Sequence, residues 1–413
     1  MRLEGIHKKS RSGSEGANLS EPLRLGIAGL GVASTQILPP LSALSYIKIT
    51  AAADTRSDAL EKFGAVYHGE TYTSVQAMCE QASIDAVYVA TPNPLHAEHA
   101  ITAARSGKHI IVEKPMAMSL AECDAMNEAA EKNGVKLLCG HTHSFDPPIR
   151  KMREIVKSGR LGKLCMINSW NYNEFMYRPR MRHELAMSRG VVLNQGPHHV
   201  DIVRLIGGGM VRSVRAMTGI WDKAREWEGS YSCYLEFEDG TPATLVYSGY
   251  GFFDTAELFE WVGEGGQYRA PETNLNVREK LREVRGTEEE EQLKEGMRFG
   301  GQREGEYSHV WVGNRKQPFF GLIVVSCEKG DIRQTPDGLK IYGETEKREI
   351  QLPTANRGRE AEVEELYNAA VHNRPVVHDG RWGAATLEVC LAILESAAKR
   401  KEIFLSHQVP SPE

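Results

Sequence analysis

From Leu23 to about Leu138, apolar runs of strand length at 23–28, 47–53, 85–90, 109–112 and 135–138 alternate with helical patterns at 34–44, 57–63, 95–105 and 120–132. A chain that alternates in this way covers its strands by crossing over with helices, which makes the sheet parallel. Ligands settle at the carboxyl ends of such strands, so the strand tips are the places to look for chemistry. Those tips are Gly29 to Ser34, Asp54, Thr91-Pro92-Asn93, Glu113-Lys114-Pro115 and His141-Thr142-His143.

The first tip reads Leu25-Gly-Ile-Ala-Gly29-Leu-Gly31-Val32-Ala33-Ser34. A strand that turns sharply on glycines and opens a helix sets backbone N–H groups and a helix N-terminus against a pyrophosphate. An acid at the second strand's tip, here Asp54, can hold a ribose hydroxyl pair. The third small position of this fingerprint is Ser34 rather than Gly or Ala. Asp54 is equally placed to cap a helix running from Arg56 to Phe63. Its charge repels a ribose phosphate and favours NAD, whereas Arg56, two residues on, tolerates NADP.

A chain of 413 residues is long enough for two domains, read here as 21–145 and 146–413. Its 50 Lys and Arg against 55 Asp and Glu give a net charge of −5 with no long basic block, which argues against nucleic acid as a partner. Seven scattered cysteines without C-x-x-C pairs fit reduced thiols in a cytoplasmic protein, with neither a disulfide framework nor a metal site. Residues 1–20 read as a disordered tail. The most apolar segments, such as Phe319 to Cys327, are too short to cross a membrane.

Beyond Pro148 the pattern changes to a helix at 149–158 and strand-like runs at 163–173, 211–221, 230–237, 242–249 and 257–262, an α+β domain whose larger sheet is mainly antiparallel. The charged, glycine-bearing stretch 270–316, with Glu288 to Glu291 in a row, reads as an exposed insertion. Order returns at Gly321 to Cys327, followed by a hairpin signal at Pro336-Asp337-Gly338 and a helix from about Gly383 to Lys399.

Three groups in this chain can carry chemistry. Pro197 and Gly207-Gly208-Gly209 bracket a short helix at about 197–206 with His198 in its first turn, where the helix dipole disfavours imidazolium and keeps a neutral base. Asn194 lies just before that turn. Lys114, between Glu113 and Pro115 at a strand tip, faces a bound nicotinamide rather than bulk solvent. In Tyr177-Arg178-Pro179-Arg180 an extended backbone projects Arg178 and Arg180 to one side, a two-pronged receptor for an anion. Each has a plainer alternative: a packed histidine, a solvated lysine, a basic loop.

Gly29-Leu30-Gly31 after the first strand, Ala90-Thr91-Pro92-Asn93-Pro94-Leu95-His96, Glu113-Lys114-Pro115 and Gly196-x-His198-x-x-Asp201, in that order, resemble the Gfo/Idh/MocA oxidoreductases over about Leu23 to Leu405. The resemblance implies an N-terminal, doubly wound Rossmann domain and a C-terminal α/β domain with a large open sheet. It also implies bound NAD or NADP and homodimers or homotetramers. It makes Lys114 and His198 the catalytic pair, with Asn194 standing where many members carry Asp. Within the family, Tyr177 to Arg180, Val192 to Gly196 and Leu322 to Gly338 are most similar to the phthalate 4,5-cis-dihydrodiol dehydrogenase branch. That likeness implies oxidation of a carboxylated ring cis-diol, with Arg178, Arg180, Tyr172, Asn173 and His143 as substrate contacts. The alternatives are a sugar or cyclitol dehydrogenase and a non-catalytic dinucleotide-binding regulator.

Overall fold

The computed structural model describes residues 21–179, 181–304, 315–354 and 358–411. The tail at 1–20 and Arg180 therefore lie outside the described residues. Two sheets organise the chain. The first contains β1 (Leu23–Ala28), β2 (Ile47–Ala53), β3 (Glu70–Tyr72), β4 (Ala86–Val89), β5 (His109–Glu113) and β6 (Leu137–Gly140), ordered β3-β2-β1-β4-β5-β6. All of its pairings are parallel. Strands such as Ala86–Val89 are buried along their whole length, as a sheet covered on both faces requires. The crossover helices are α1 (Val32–Ser42), α2 (Ser57–Tyr67), α3 (Val75–Gln81), α4 (His96–Arg105) and α5 (Leu120–Lys132). The order reverses between β1 and β4, and this switch point opens a crevice at the strand tips.

After α6 (Pro147–Lys157), β7 (Leu164–Tyr172) enters a nine-stranded sheet. α7 (Arg182–Met187) and α8 (Gly196–Gly207) follow. The sheet is completed by β8 (Val211–Gly219), β9 (Ser230–Phe237), β10 (Pro242–Ser248), β11 (Leu322–Cys327), β12 (Gly330–Thr335), β13 (Gly338–Gly343), β14 (Lys347–Gln351) and β15 (Ile403–Phe404). Its order is β14-β13-β12-β11-β7-β10-β9-β8-β15, antiparallel except for β7 with β10. One face packs on α8 and on α12 (Gly380–Lys399), which bury Tyr231, Leu235, Leu245 and Tyr247. The other face leaves Met166, Trp170, Met217 and Tyr234 exposed.

Helix α8 is buried on every side, and its polar residues His199, Asp201 and Arg204 find partners there. His199 sits between the Tyr231 hydroxyl (2.8 Å) and Ser169 Oγ (2.6 Å). Asp201 accepts from the Trp382 indole and from Thr386 Oγ1 (3.2 Å), and its carboxylate lies 3.3 Å from His141 Nδ1. Arg204 donates to Thr386 Oγ1 at 2.7 Å and lies 4.0 Å over the Trp382 ring. These bonds fix the N-terminus of α8 relative to β6 and α12.

Two sequence expectations are corrected here. The run 257–262 is not a strand: Thr255–Phe259 winds as a 3-10 helix, and Glu260 and Trp261 hold φ of 54° and 58°, left-handed values that end extended backbone. The stretch 270–316 is not simply exposed in its described part. It folds into α9 (Thr273–Leu281) and α10 (Glu288–Gly296), and the segment Met297–Glu304 straps back onto the nucleotide domain. Phe299, 3% exposed, joins the core cluster of Leu30, Phe63 and Leu60. Arg56 donates to the Phe299 carbonyl, and Lys62 pairs with Glu304. One further helix, α11 (Gly358–His372), was not anticipated. Among the described residues no helix is long and apolar enough to cross a membrane.

Candidate active site

Between the two sheets lies a cleft of about 1650 Å³, larger than the roughly 300–1,000 Å³ of an ordinary small-ligand pocket and sufficient for a dinucleotide together with a substrate. Its floor is the set of parallel strand tips. At the first, Gly29 holds φ of 92°, and a Cβ there would stand 2.7 Å from the Ala90 carbonyl oxygen. Only glycine lets β1 and β4 approach so closely. At Gly31 a Cβ would meet nothing within 4 Å, which leaves open space at the start of α1. That helix has no side-chain cap and no acid in its first turn, so its free N–H groups suit a diphosphate. Ser34, the departure from the small-residue pattern, is buried and donates to the Gly29 carbonyl at 2.6 Å, which locks the turn from within.

Val32, Ala33, Thr91, Asn93, His96, Glu113, Lys114, His143, Arg178, Asn194 and His198 all line this cleft. Pro92 only shapes the bend before the 3-10 turn Asn93–Leu95. His96 ties two tips together, its ring nitrogens lying 2.9 Å from the Pro115 and 2.8 Å from the Thr91 carbonyl oxygens. Asp54 and Arg56 are placed differently from expectation. The Asp54 carboxylate accepts from the N–H groups of Leu30 (2.6 Å) and Arg56 (2.8 Å), and the Arg56 guanidinium donates to the Leu30 carbonyl at 2.6 Å. Neither is among the residues that line the cleft, and Arg56 meets the Met297–Glu304 strap at the Phe299 carbonyl.

The cleft's centre is a meeting of the two domains. Lys114 Nζ donates to the main-chain carbonyl of Asn194 at 3.0 Å, while the Asn194 side chain accepts from Gln195 Nε2 at 2.9 Å. His198, in the first turn of α8, packs edge-on to His143 (4.9 Å between centroids) and near Phe320 (5.4 Å). Burial first, then the charges of Lys114 and its neighbours, holds His198 well below the usual imidazole range. Its Nδ1 has no partner among the described residues. The ring is thus a neutral base facing a cation that can polarise a hydroxyl.

Behind Lys114 lies a buried network. The Tyr88 hydroxyl bonds to Glu113 (3.1 Å) and donates to Glu362 (2.8 Å), and Arg359 pairs with Glu113 and donates to the Tyr88 hydroxyl at 2.7 Å. Against burial, Arg359 holds Glu113 below its ordinary value, whereas burial raises Glu362. Arg359 also lines the cleft. Sequence reading missed both Arg359 and Glu362; the run of helix formers after Gly358 was the available signal.

The expected substrate contacts divide. His143 is held by Asp146 at 3.0 Å and faces the cleft. Tyr172 and Asn173 do not: Asn173 is buried against Tyr247 (2.9 Å) and Asn171 (3.1 Å), and Tyr172 leans on Phe253. Arg178 and Arg269 share Glu174, and the expected partner Arg180 lies outside the described residues.

The family model described as an oxidoreductase family with an NAD-binding Rossmann fold matches residues 23–141, and the GFO/IDH/MocA C-terminal domain matches 149–269. The chain belongs to the Gfo/Idh/MocA oxidoreductase family. It is similar to 1-carboxy-3-chloro-3,4-dihydroxycyclohexa-1,5-diene dehydrogenase of Comamonas testosteroni, 36% identical over 90% of this chain and 94% of that one. A myo-inositol 2-dehydrogenase of Thermotoga maritima is 30% identical over 47% of this chain and 58% of that protein. A solved structure from Bordetella bronchiseptica RB50 superposes with a TM-score of 0.87 at 38% identity, over 93% of this chain and 100% of that one. The protein is accordingly an NAD-binding dehydrogenase acting on a small molecule. The open turn at Gly31 and the uncapped α1 fit the dinucleotide's diphosphate.

Proposed function

We propose that this dehydrogenase oxidises a ring-bound cis-diol bearing a carboxylate to the corresponding catechol. The observation that carries the reading is the convergence of Lys114 and His198, from different domains, on one cleft wall. The Comamonas relative, whose named substrate is a carboxylated dihydroxycyclohexadiene, supports the substrate class. NAD, when bound, accepts hydride from the carbinol carbon. Lys114, held by the Asn194 carbonyl, orients the hydroxyl oxygen and stabilises the negative charge that develops there. His198, neutral and desolvated, removes the hydroxyl proton. The cleft holds the reacting groups close, which supplies much of the rate advantage. The hydrogen on the neighbouring carbinol carbon then leaves as a proton while the new carbonyl oxygen takes one up, and this tautomerisation to the aromatic catechol draws the oxidation forward.

A homo-oligomer forms, in this reading, through the exposed sheet face of Met166, Trp170, Met217 and Tyr234. A second reading, a cyclitol or sugar dehydrogenase, is favoured by the acid-rich end of the cleft at Glu174 and Glu264, which suits hydroxyl donors. NADH formation measured on a carboxylated cis-dihydrodiol and on myo-inositol decides between them. Turnover of the inositol alone rejects the diol reading.

A further inference from the structure

The cleft has two groups of cations, and they differ in how those cations are paired. At one end Arg178 and Arg269 face three carboxylates. Glu174 accepts from both, Asp254 accepts from Arg269 at 2.6 Å, and Glu264 lies 3.5 Å from Arg178. Against burial, the two arginines hold Glu174 down to about 2, so it is an anion at neutral pH. At the other end Lys114 and Arg359 face Glu113, while burial raises Glu362 towards its neutral form. At the first end both arginines are met by carboxylates at more than one nitrogen, whereas at the second Glu113 engages only Nη1 of Arg359.

We infer that Arg359 receives the carboxylate of the substrate, a proposal that rests on the diol reading above. Arg359 stands in the first turn of α11 and shares the cleft wall with Lys114, His143 and His198. Its Nη1 is committed to Tyr88 and Glu113. Its Nε and Nη2 have no partner among the described residues, and the side chain keeps 17% of its surface exposed. That Nε–Nη2 edge is the one by which a guanidinium grips a carboxylate through two parallel bonds. Because the opposite edge is anchored, the fork is oriented before substrate arrives and little side-chain freedom is lost on binding. In Arg178 the comparable edge is taken, since Glu174 accepts from Nε and Glu264 lies 3.5 Å from Nη2.

The test compares a cis-dihydroxycyclohexadiene carrying a ring carboxylate with its uncharged counterpart, both with NAD, and separately titrates NAD against the protein alone. The wild type favours the carboxylated compound in kcat/KM by at least about 30-fold, as a charge-assisted bidentate pair supplies. Arg359→Lys reduces that preference, taken as the ratio of the two kcat/KM values, at least about tenfold and leaves NAD affinity within about threefold. Should that variant not fold, the wild type still answers: benzoate protects Arg359, and not Arg178, from phenylglyoxal, as located by peptide mass spectrometry. An unchanged preference in Arg359→Lys, or protection at Arg178 instead, overturns the inference. Loss of NAD affinity in place of the preference overturns it too, because the guanidinium then serves the dinucleotide's diphosphate. If the wild type oxidises neither diol, the substrate reading itself falls, a result distinct from oxidation without discrimination.

Discussion

The Lys114 ammonium is tethered to the main-chain carbonyl of Asn194, not to its side chain, at 3.0 Å. A lysine at the tip of β5 is thereby fixed by the loop that leads into α8, four residues before His198. Asn194→Ala removes no part of this bond. We expect kcat within about fivefold of wild type for Asn194→Ala in steady-state assays, against a loss of at least about 10²-fold for Lys114→Met.

Acid should weaken the fold. Burial holds His141 down to about 4, His199 down to about 3 and His198 well below 6.5. Between these folded values and 6.5 the unfolded chain binds more protons, so stability is fully present above 6.5 and falls as pH drops below it. Each such histidine costs at most about 1.4 kcal/mol per pH unit in that window. His378 has the opposite sign, since Glu365 raises it against burial, and its contribution is lost as pH rises through its folded value. His96, His99 and His109 are lowered in the same sense by burial, and Glu362, raised to about 7, opposes like His378; six groups against two predict a lower Tm at about pH 5 than at about pH 7 by calorimetry. The profile of kcat/KM should show no ionisation near 6.5 attributable to His198.

Asp201 belongs to the fold more than to the chemistry. Its carboxylate is buried among His141, Trp382 and Thr386. Asp201→Ala leaves those groups unsatisfied, and a destabilisation of about 3–5 kcal/mol is expected in urea unfolding. NAD affinity of the folded fraction should stay close to wild type.

Phe299 anchors the strap over the nucleotide domain. Phe299→Ala opens a cavity beside Leu60 and Phe63, and about 3–5 kcal/mol of stability should be lost. Arg56 is already committed to the carbonyls of Leu30 and Phe299. It is therefore not available to a ribose phosphate, and Arg56→Ala should change NADP affinity by less than about threefold in direct titration.

The parallel sheet was legible because its strands are buried on both faces and read as unbroken apolar runs. Helix α8 was legible because Pro197 and Gly207 to Gly209 punctuate it. The strap was not: Glu288 to Glu291 suggest a solvated face, yet Glu290 is buried against Arg225 and Phe299 is carried into a core far away in sequence. Long-range contact of that kind leaves no local period. The ion pairs of Arg178 with Glu174 and Glu264 were equally hidden, because Glu264 lies far along the chain and a basic run shows no local sign of its acidic partners. Arg359 escaped notice for the complementary reason. Its significance comes from Tyr88 and Glu113, which lie more than two hundred residues upstream.

The account stands on Lys114 and His198 acting together on one hydroxyl. The most direct measurement is NADH formation by the double variant Lys114→Met/His198→Asn, alongside each single variant and a direct titration of NAD. Residues that act as a unit lose activity non-additively, so the double should lie within about tenfold of the worse single variant, at least about 10³-fold below wild type, with NAD affinity within about threefold. Turnover within about tenfold of wild type in the double variant, with NAD still bound, would contradict the account.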